Sequence, residues 1–524
     1  MMSHQCLQAD PVNAQSFSDD PATRGLYATF KPGWNPLATF LATPEGQRWT
    51  YADLDQITAV CVRRVAALGI GRGARVVALL ERSPWNLFLY VSCLRAGIVF
   101  VPLSPQLTPA ELAPVLADVE PALVVCSPAL QARVRELAEA AGIPVLTLDA
   151  DGSGGLSSVA PADTQPDADV KADDIAAIMF TSGTTGRPKG AVIPHGHLAT
   201  KARSLVEGLG WCSSDTLLHA MPLHHAHGLF MTTHCVLTVG ASILLAPRFD
   251  AAETVALLPS ATVFSGVPTM YSRMASVAGL RKRSRNIRVF VCASAPLPPD
   301  VFQRFEQASG HQLLECWGMS ETMTNTANPL DGPRRPSSAG KLLPGVEIRV
   351  TDADGRVLPP GRAGVLEIRS ATRFGGYWRR SESEQPRFRD GYFVTGDIGS
   401  FDADGYLSII GRTSDVIISG GNNVYPREVE LALEQLAGVS KAAVFGLPHP
   451  DFGEAVAAAI EPAACMTLDQ SALDVMRLAL RERLSGYKVP KALFVVDGLP
   501  LTVLGKIQRS VLKNRFADHF SRAD

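Results

Sequence analysis

Apolar and polar positions follow two rhythms through the first half of the chain. Short β-branched runs read as strands: "ARVVALL" (74–80), "IVFVPL" (98–103), "ALVVCS" (122–127) and "PVLTL" (144–148). Between them lie longer helical stretches, "SPWNLFLYVSCLRAG" (83–97), stopped by Gly97, and "PALQARVRELAEAAG" (128–142). Strands alternating with helices predict parallel sheets covered by helices. Residues 151–174 are polar and rich in Gly, Ser and Pro, as a surface connection should be. Residues 346–370, "VEIRVTDADGRVLPPGRAGVLEIRS", alternate around DG and PG turns and predict a β-rich subdomain. A break falls at "GRTSD" (411–415), followed by "VIISGGNNV", the helical "PREVELALEQLAG", "KAAVFGLP" and "EAVAAAI". The fold class expected is α/β, with a short extension (1–28), a large N-terminal domain (29–411) and a small α+β C-terminal domain (412–524).

Composition narrows the function classes. The 524 residues are 46% hydrophobic and 19% charged, a globular balance in a chain too long for one core. A net charge of -2 gives no electrostatic case for nucleic acid or an anionic membrane. Nine cysteines lie scattered with no CxxC pair, which argues against a zinc site or disulfide framework and for reduced thiols in a cytoplasmic protein. The first 20 residues are polar and acidic, unlike a signal peptide. No run of 18 apolar residues predicts a membrane span.

The stretch "TSGTTGRPKG" (181–190) sets the chemistry. It is flanked by strand-like "DIAAIMF" and "GAVIPH", so the glycine loop is expected to join two strands. A nucleotide P-loop instead runs into a helix whose N-terminus holds the phosphates. Here Pro188 precedes Lys189 and Gly190 follows it. Four hydroxyls (Thr181, Ser182, Thr184, Thr185) and one lysine are grouped with Gly183 and Gly186, whose backbones can converge on an anion. By itself the stretch leaves open a surface hairpin or a phosphate cradle.

The same stretch resembles the phosphate-binding signature of the adenylate-forming superfamily, which includes acyl-CoA synthetases, adenylation domains and luciferases. "CWGMSET" (316–322), "YFVTGDIG" (392–399), "GRTSDVIISGGNNVYPREVE" (411–430) and "LTVLGKIQR" (501–509) are similar to its later motifs and keep their order. The resemblance implies ATP with Mg²⁺ and CoA as co-substrate. A carboxylate attacks the α-phosphorus of ATP, giving acyl-AMP and pyrophosphate; a thiol then takes the acyl group. It implies that residues 181–186 and Lys189 hold the β- and γ-phosphates. Ser320 contacts phosphate and Glu321 holds the metal ion. Asp397 accepts the ribose hydroxyls and Arg412 is a second ribose or phosphate contact. Ser294, Ala295 and Pro296, with Glu315, Trp317, Gly318 and Met319, line the adenine side. Lys506 resembles the adenylation lysine that bridges the attacking carboxylate and the α-phosphate. The C-terminal domain is expected to rotate about Ser414, where the family usually carries Asp or Lys, and to bring Gly420, Gly421 and Lys488 to the thiol path.

For the acid itself, "MPLHHAHGLF" (221–230) resembles the acyl gate, with His225 aligned best and His227 next; a zinc reading of its three histidines is the lesser one. "GVPTMYSR" (266–273) and residues 319–336 are similar to malonyl-CoA synthetases. A second carboxylate on the acid needs a cation when buried, and an arginine fork suits it. Arg273 is the first candidate and Arg288 the second. Ala293 stands where those enzymes usually carry glycine, beside the acyl pocket with Gly318 and Met319. The alternatives are a fatty- or aryl-acid CoA ligase, separated by an Arg273→Ala test, and a standalone enzyme loading an acyl carrier protein.

Overall fold

A computed structural model describes residues 23–139, 141–163, 168–181, 188–464, 466–502 and 505–520. The expected strand–helix rhythm is there. Strands Arg75–Leu79, Val99–Pro102, Leu123–Cys126 and Val145–Thr147 pair in parallel within one six-stranded sheet. The helix Pro84–Ala96 starts at Ser83, whose hydroxyl accepts the Asn86 N–H, and stops at Gly97, which takes the left-handed conformation at φ 65°. It buries nearly every side chain, so it lacks an amphipathic pattern and packs as a core helix.

At one edge of that sheet, Ile175–Thr181 and Lys189–Pro194 run antiparallel, with Thr181 opposite Lys189. The glycine loop therefore joins two strands. Ser182, Gly183, Thr184, Thr185 and Gly186 lie outside the described residues, as does the side chain of Thr181.

The second large sheet has nine strands, and its centre is parallel: Ser242–Leu245, Thr216–His219, Val263–Gly266, Val289–Cys292 and Leu313–Met319. Antiparallel hairpins close both edges. Its core includes Phe264, Tyr271, Phe290 and Phe305, all fully buried. In α/β sheets, ligands bind beyond the carboxyl ends of the strands. Here those ends lead into residues 220–227, Gly266, residues 293–296 and the turn 320–322.

The chain forms two compact units: Met1–Glu347 with Arg369–Arg387, and Ile348–Ile368 with Phe388–Asp524. The second contains two five-stranded sheets. One is built on Gly364–Ser370 and Tyr392–Phe401, the other on Val439–His449 and Gly453–Pro462. This division follows compactness; the expected division at 412 concerns motion and belongs to the proposal below. Among the described residues no helix is long and apolar enough to cross a membrane.

Candidate active site

In the first unit the strand Leu313–Met319 turns back through Ser320, Glu321 and Thr322 into Met323–Ala327, with Met319 opposite Met323 and Gly318 opposite Thr324. The turn is tight. A Cβ on Gly318 would sit 2.1 Å from the Met323 carbonyl oxygen, so only glycine fits. Met323 has φ 54°, a region that side chains rarely adopt. The hairpin thus holds Ser320 and Glu321 in a defined place.

Glu321 is buried and its Oε1 accepts a 2.9 Å hydrogen bond from the Tyr377 hydroxyl. The Lys189 ammonium lies 5.3 Å from the centre of the Tyr377 ring. Backbone bonds from Gly375 to Val192 and from Trp378 to Gly190 fasten this segment along the strand that begins at Lys189. Tyr377 therefore joins two residues expected to serve the nucleotide. Sequence reasoning missed it; the signal was the aromatic pair in "GGYWRR" (375–380). Among the described residues no group of three or more His, Cys, Asp or Glu side chains converges. A buried carboxylate such as that of Glu321 suits a Mg²⁺ ion carried mainly by nucleotide phosphates.

His227 is fully buried between two serines, with Nδ1 2.9 Å from Ser294 Oγ and Nε2 2.7 Å from Ser265 Oγ. Burial, then His219 and His225, pulls its pKa down to about 3, so the ring is neutral. Ser294 adopts φ 74°, and the His227 contact helps hold it there. His225 is partly exposed and packs on His224 at 4.4 Å between ring centres. Glu315 accepts the Leu297 N–H at 3.1 Å, tying residues 293–297 to the neighbouring strand. Ala293 is buried, and its N–H reaches Gly266 O at 3.2 Å.

The two arginines fall in different places. Arg288 precedes the strand Val289–Cys292, at its amino end, whereas Ala293 follows its carboxyl end. Five strand steps, about 17 Å, separate the two. The Arg288 guanidinium grips buried Asp215 through Nε at 2.8 Å and Nη2 at 2.7 Å, and Nη1 reaches Leu209 O. Arg288 is thus held in an ion pair at the amino end of its strand, the end opposite Ala293. Arg273 lies in the last turn of the helix Pro268–Met274, exposed and without hydrogen bonds or ion pairs among the described residues. It stands three residues from Met270, and so on the same helix face. The Met270 sulfur lies 3.2 Å from where a Cβ on Gly266 would be.

The second unit carries the other candidates. Buried Asp397 sits opposite Arg412 across Tyr392–Phe401 and Leu407–Arg412, and the Arg412 Nε lies 3.0 Å from Asp397 Oδ1. The Asp397 N–H donates to Thr395 Oγ1 at 2.9 Å. Ser414 is exposed in the turn Thr413–Asp415 and donates to Asp415 Oδ1 at 3.2 Å. Gly420 and Gly421, at φ 57° and 79°, form the two-residue connection between Ile417–Ser419 and Asn422–Val424. Lys488 Nζ lies 2.6 and 2.8 Å from the two oxygens of Glu428. Burial opposes its charge, but the Glu428 pair outweighs this and raises its pKa. Lys506 is exposed just after Gly505 (φ 78°), and its N–H reaches Thr502 Oγ1 at 3.1 Å. Three residues later Arg509 donates to Val444 O, to buried Glu430 at 2.5 Å and to Asp415 at 3.3 Å.

Comparison with known proteins gives the family. Residues 31–378 match the AMP-binding enzyme family and residues 428–506 the AMP-binding enzyme C-terminal domain. A mitochondrial malonate–CoA ligase of Xenopus laevis is 35% identical over 480 residues, covering 82% of this chain and 81% of the relative. A feruloyl-CoA synthase of Amycolatopsis sp is 34% identical over 476 residues, covering 90% and 94%. The crystal structure of ATP-bound MatB from Rhodopseudomonas palustris superposes with a TM-score of 0.90 at 38% identity, covering 94% of this chain and 99% of that one. The chain belongs to the AMP-binding enzyme family, as an AMP-forming acid–CoA ligase that uses ATP with CoA as its co-substrate.

Proposed function

We propose that the acid is malonate or a close short dicarboxylate. The observation that carries this is Arg273, a guanidinium with no ion pair among the described residues, on the helix face that passes Met270 and Gly266 at the carboxyl edge of the nine-stranded sheet. The likeness to the malonate–CoA ligase and to MatB supports the same reading. In it, residues 181–186 and Lys189 hold the phosphates and Glu321 the metal ion. Ser294, Ala295, Pro296, Glu315, Trp317, Gly318, Met319 and Ser320 surround the adenylate, with His225 at the acyl gate. Asp397 and Arg412 take the ribose and Lys506 meets the charge that builds at the α-phosphate. The domain 412–524 then turns at Ser414, and Gly420, Gly421 and Lys488 receive the thiol, for which Lys488 must loosen its hold on Glu428. Cytoplasmic placement is part of the proposal: none of the seven described cysteines forms a disulfide, which fits a reducing compartment.

The test is pyrophosphate release with ATP, Mg²⁺ and CoA across malonate, methylmalonate, succinate, acetate, octanoate and benzoate. Malonate should give the highest kcat/KM, and Arg273→Ala should lower it at least tenfold, about 1.4 kcal/mol. Preference for benzoate or octanoate would overturn the acid. The likeness to the feruloyl-CoA synthase favours an aryl acid as the second reading. Transfer to a purified acyl carrier protein without CoA would favour the carrier-loading alternative.

A further inference from the structure

Lys201 is a buried cation without a counterion. It lies on the helix His195–Leu209 with 2% of its surface exposed. Among the described residues its ammonium makes one long hydrogen bond, 3.4 Å to Asn325 Oδ1, and no ion pair. Burial alone pulls its pKa down, to about 8, with no carboxylate to offset the cost. An ammonium has three donors, and leaving one buried and unpaired is expensive. A neutral side chain of similar length would avoid that expense.

Its surroundings are polar in the same unfinished way. His197 sits one turn earlier on the same helix face, also buried. Its Nδ1 is 3.3 Å from Thr372 Oγ1, while its Nε2 has no hydrogen-bond partner among the described residues. Burial, then the Lys201 charge, brings its pKa down to about 3, so it is neutral. The Asn325 amide is oriented by its own donors, to Thr322 Oγ1 at 2.7 Å and Met323 O at 3.3 Å, which turns its oxygen toward Lys201. Asn325 follows Thr324, and Thr324 lies opposite Gly318 in the hairpin that carries Glu321. The under-bonded ammonium therefore reaches a strand of that hairpin directly.

We propose that Lys201 receives the remote anionic group of the substrate acid, a second carboxylate, with Asn325 orienting the ammonium and His197 offering a further polar contact. This rests on the dicarboxylate reading above and adds a buried residue to it. A site completed only by an anion discriminates against acids that lack one, because an uncharged acyl chain would leave the ammonium desolvated and unpaired.

The experiment compares kcat/KM for malonate and succinate with that for acetate and butyrate in wild type, Lys201→Met, Lys201→Gln and Lys201→Arg, with the melting temperature of each. The dicarboxylate-to-monocarboxylate ratio should fall at least tenfold in Met and Gln and stay within a few fold of wild type in Arg. Gln keeps a donor for Asn325, so it also reports if Met fails to fold. If wild type prefers dicarboxylates and the ratio is unchanged in a folded Met or Gln variant, Lys201 is not the partner, although the dicarboxylate reading stands. If wild type prefers monocarboxylates, both fail.

Discussion

Tyr377 donates to Glu321 and lies against Lys189, so one hydroxyl helps position a carboxylate expected at the metal ion. A hydrogen bond to a charged group contributes about 1.5–3 kcal/mol. Tyr377→Phe should therefore cut kcat/KM for ATP about tenfold, with the melting temperature little changed. A value within twofold of wild type would mean that Glu321 keeps its place without the hydroxyl. Residue pairs of this kind were out of reach of the sequence. Tyr377 and Glu321 stand 56 positions apart, and Arg288 and Asp215 stand 73 apart. Nothing local in either stretch says that they meet. Arg288 was read as a candidate for the acid because charge and neighbourhood are visible in one dimension, whereas the end of the strand at which a residue sits is not.

At the scale of elements the sequence was more informative. The runs at 74–80, 98–103, 122–127 and 144–148 became parallel strands because short β-branched stretches between helices have few other ways to be buried. The strand–loop–strand form of residues 174–195 was legible too, since no helical pattern follows Lys189 directly. The hairpin that carries Glu321 was not. Its geometry depends on Gly318 passing the Met323 carbonyl and on Met323 in the left-handed region. Gly318→Ala places a methyl carbon 2.1 Å from a backbone oxygen, which no rotamer relieves. We expect pyrophosphate release to drop at least a hundredfold and the melting temperature to fall by several degrees. Near-wild-type turnover would show that the hairpin can shift without loss. The helix His195–Leu209 gives the same lesson: a lysine in its middle, Lys201, faces inward.

For the whole molecule, five buried histidines and the half-buried His224 set the response to acid. His195 and His219 are pulled to about 4 and His197, His224, His227 and His234 to about 3, in each case by burial first. In an unfolded chain they titrate near 6.5, so below that pH the unfolded state takes up protons that the folded state refuses. Their contribution to stability is therefore full above about pH 6.5 and is lost as pH falls from there through about 4 and 3. All six lie in the first unit. Urea midpoints followed from pH 7.5 to 4.5 should fall steeply for that unit; a flat profile would mean that these rings are charged in the fold. The second unit carries a different consequence, through Arg509. Its guanidinium ties the segment of Lys506 to Glu430, to Val444 and, through Asp415, to the turn that holds Ser414. A lever delivers its stroke only if its arm does not bend. In the proposed turn at Ser414, Arg509 would be the brace that carries a small change of backbone angle undiminished to Lys506; without it, the same change would be spent as slack.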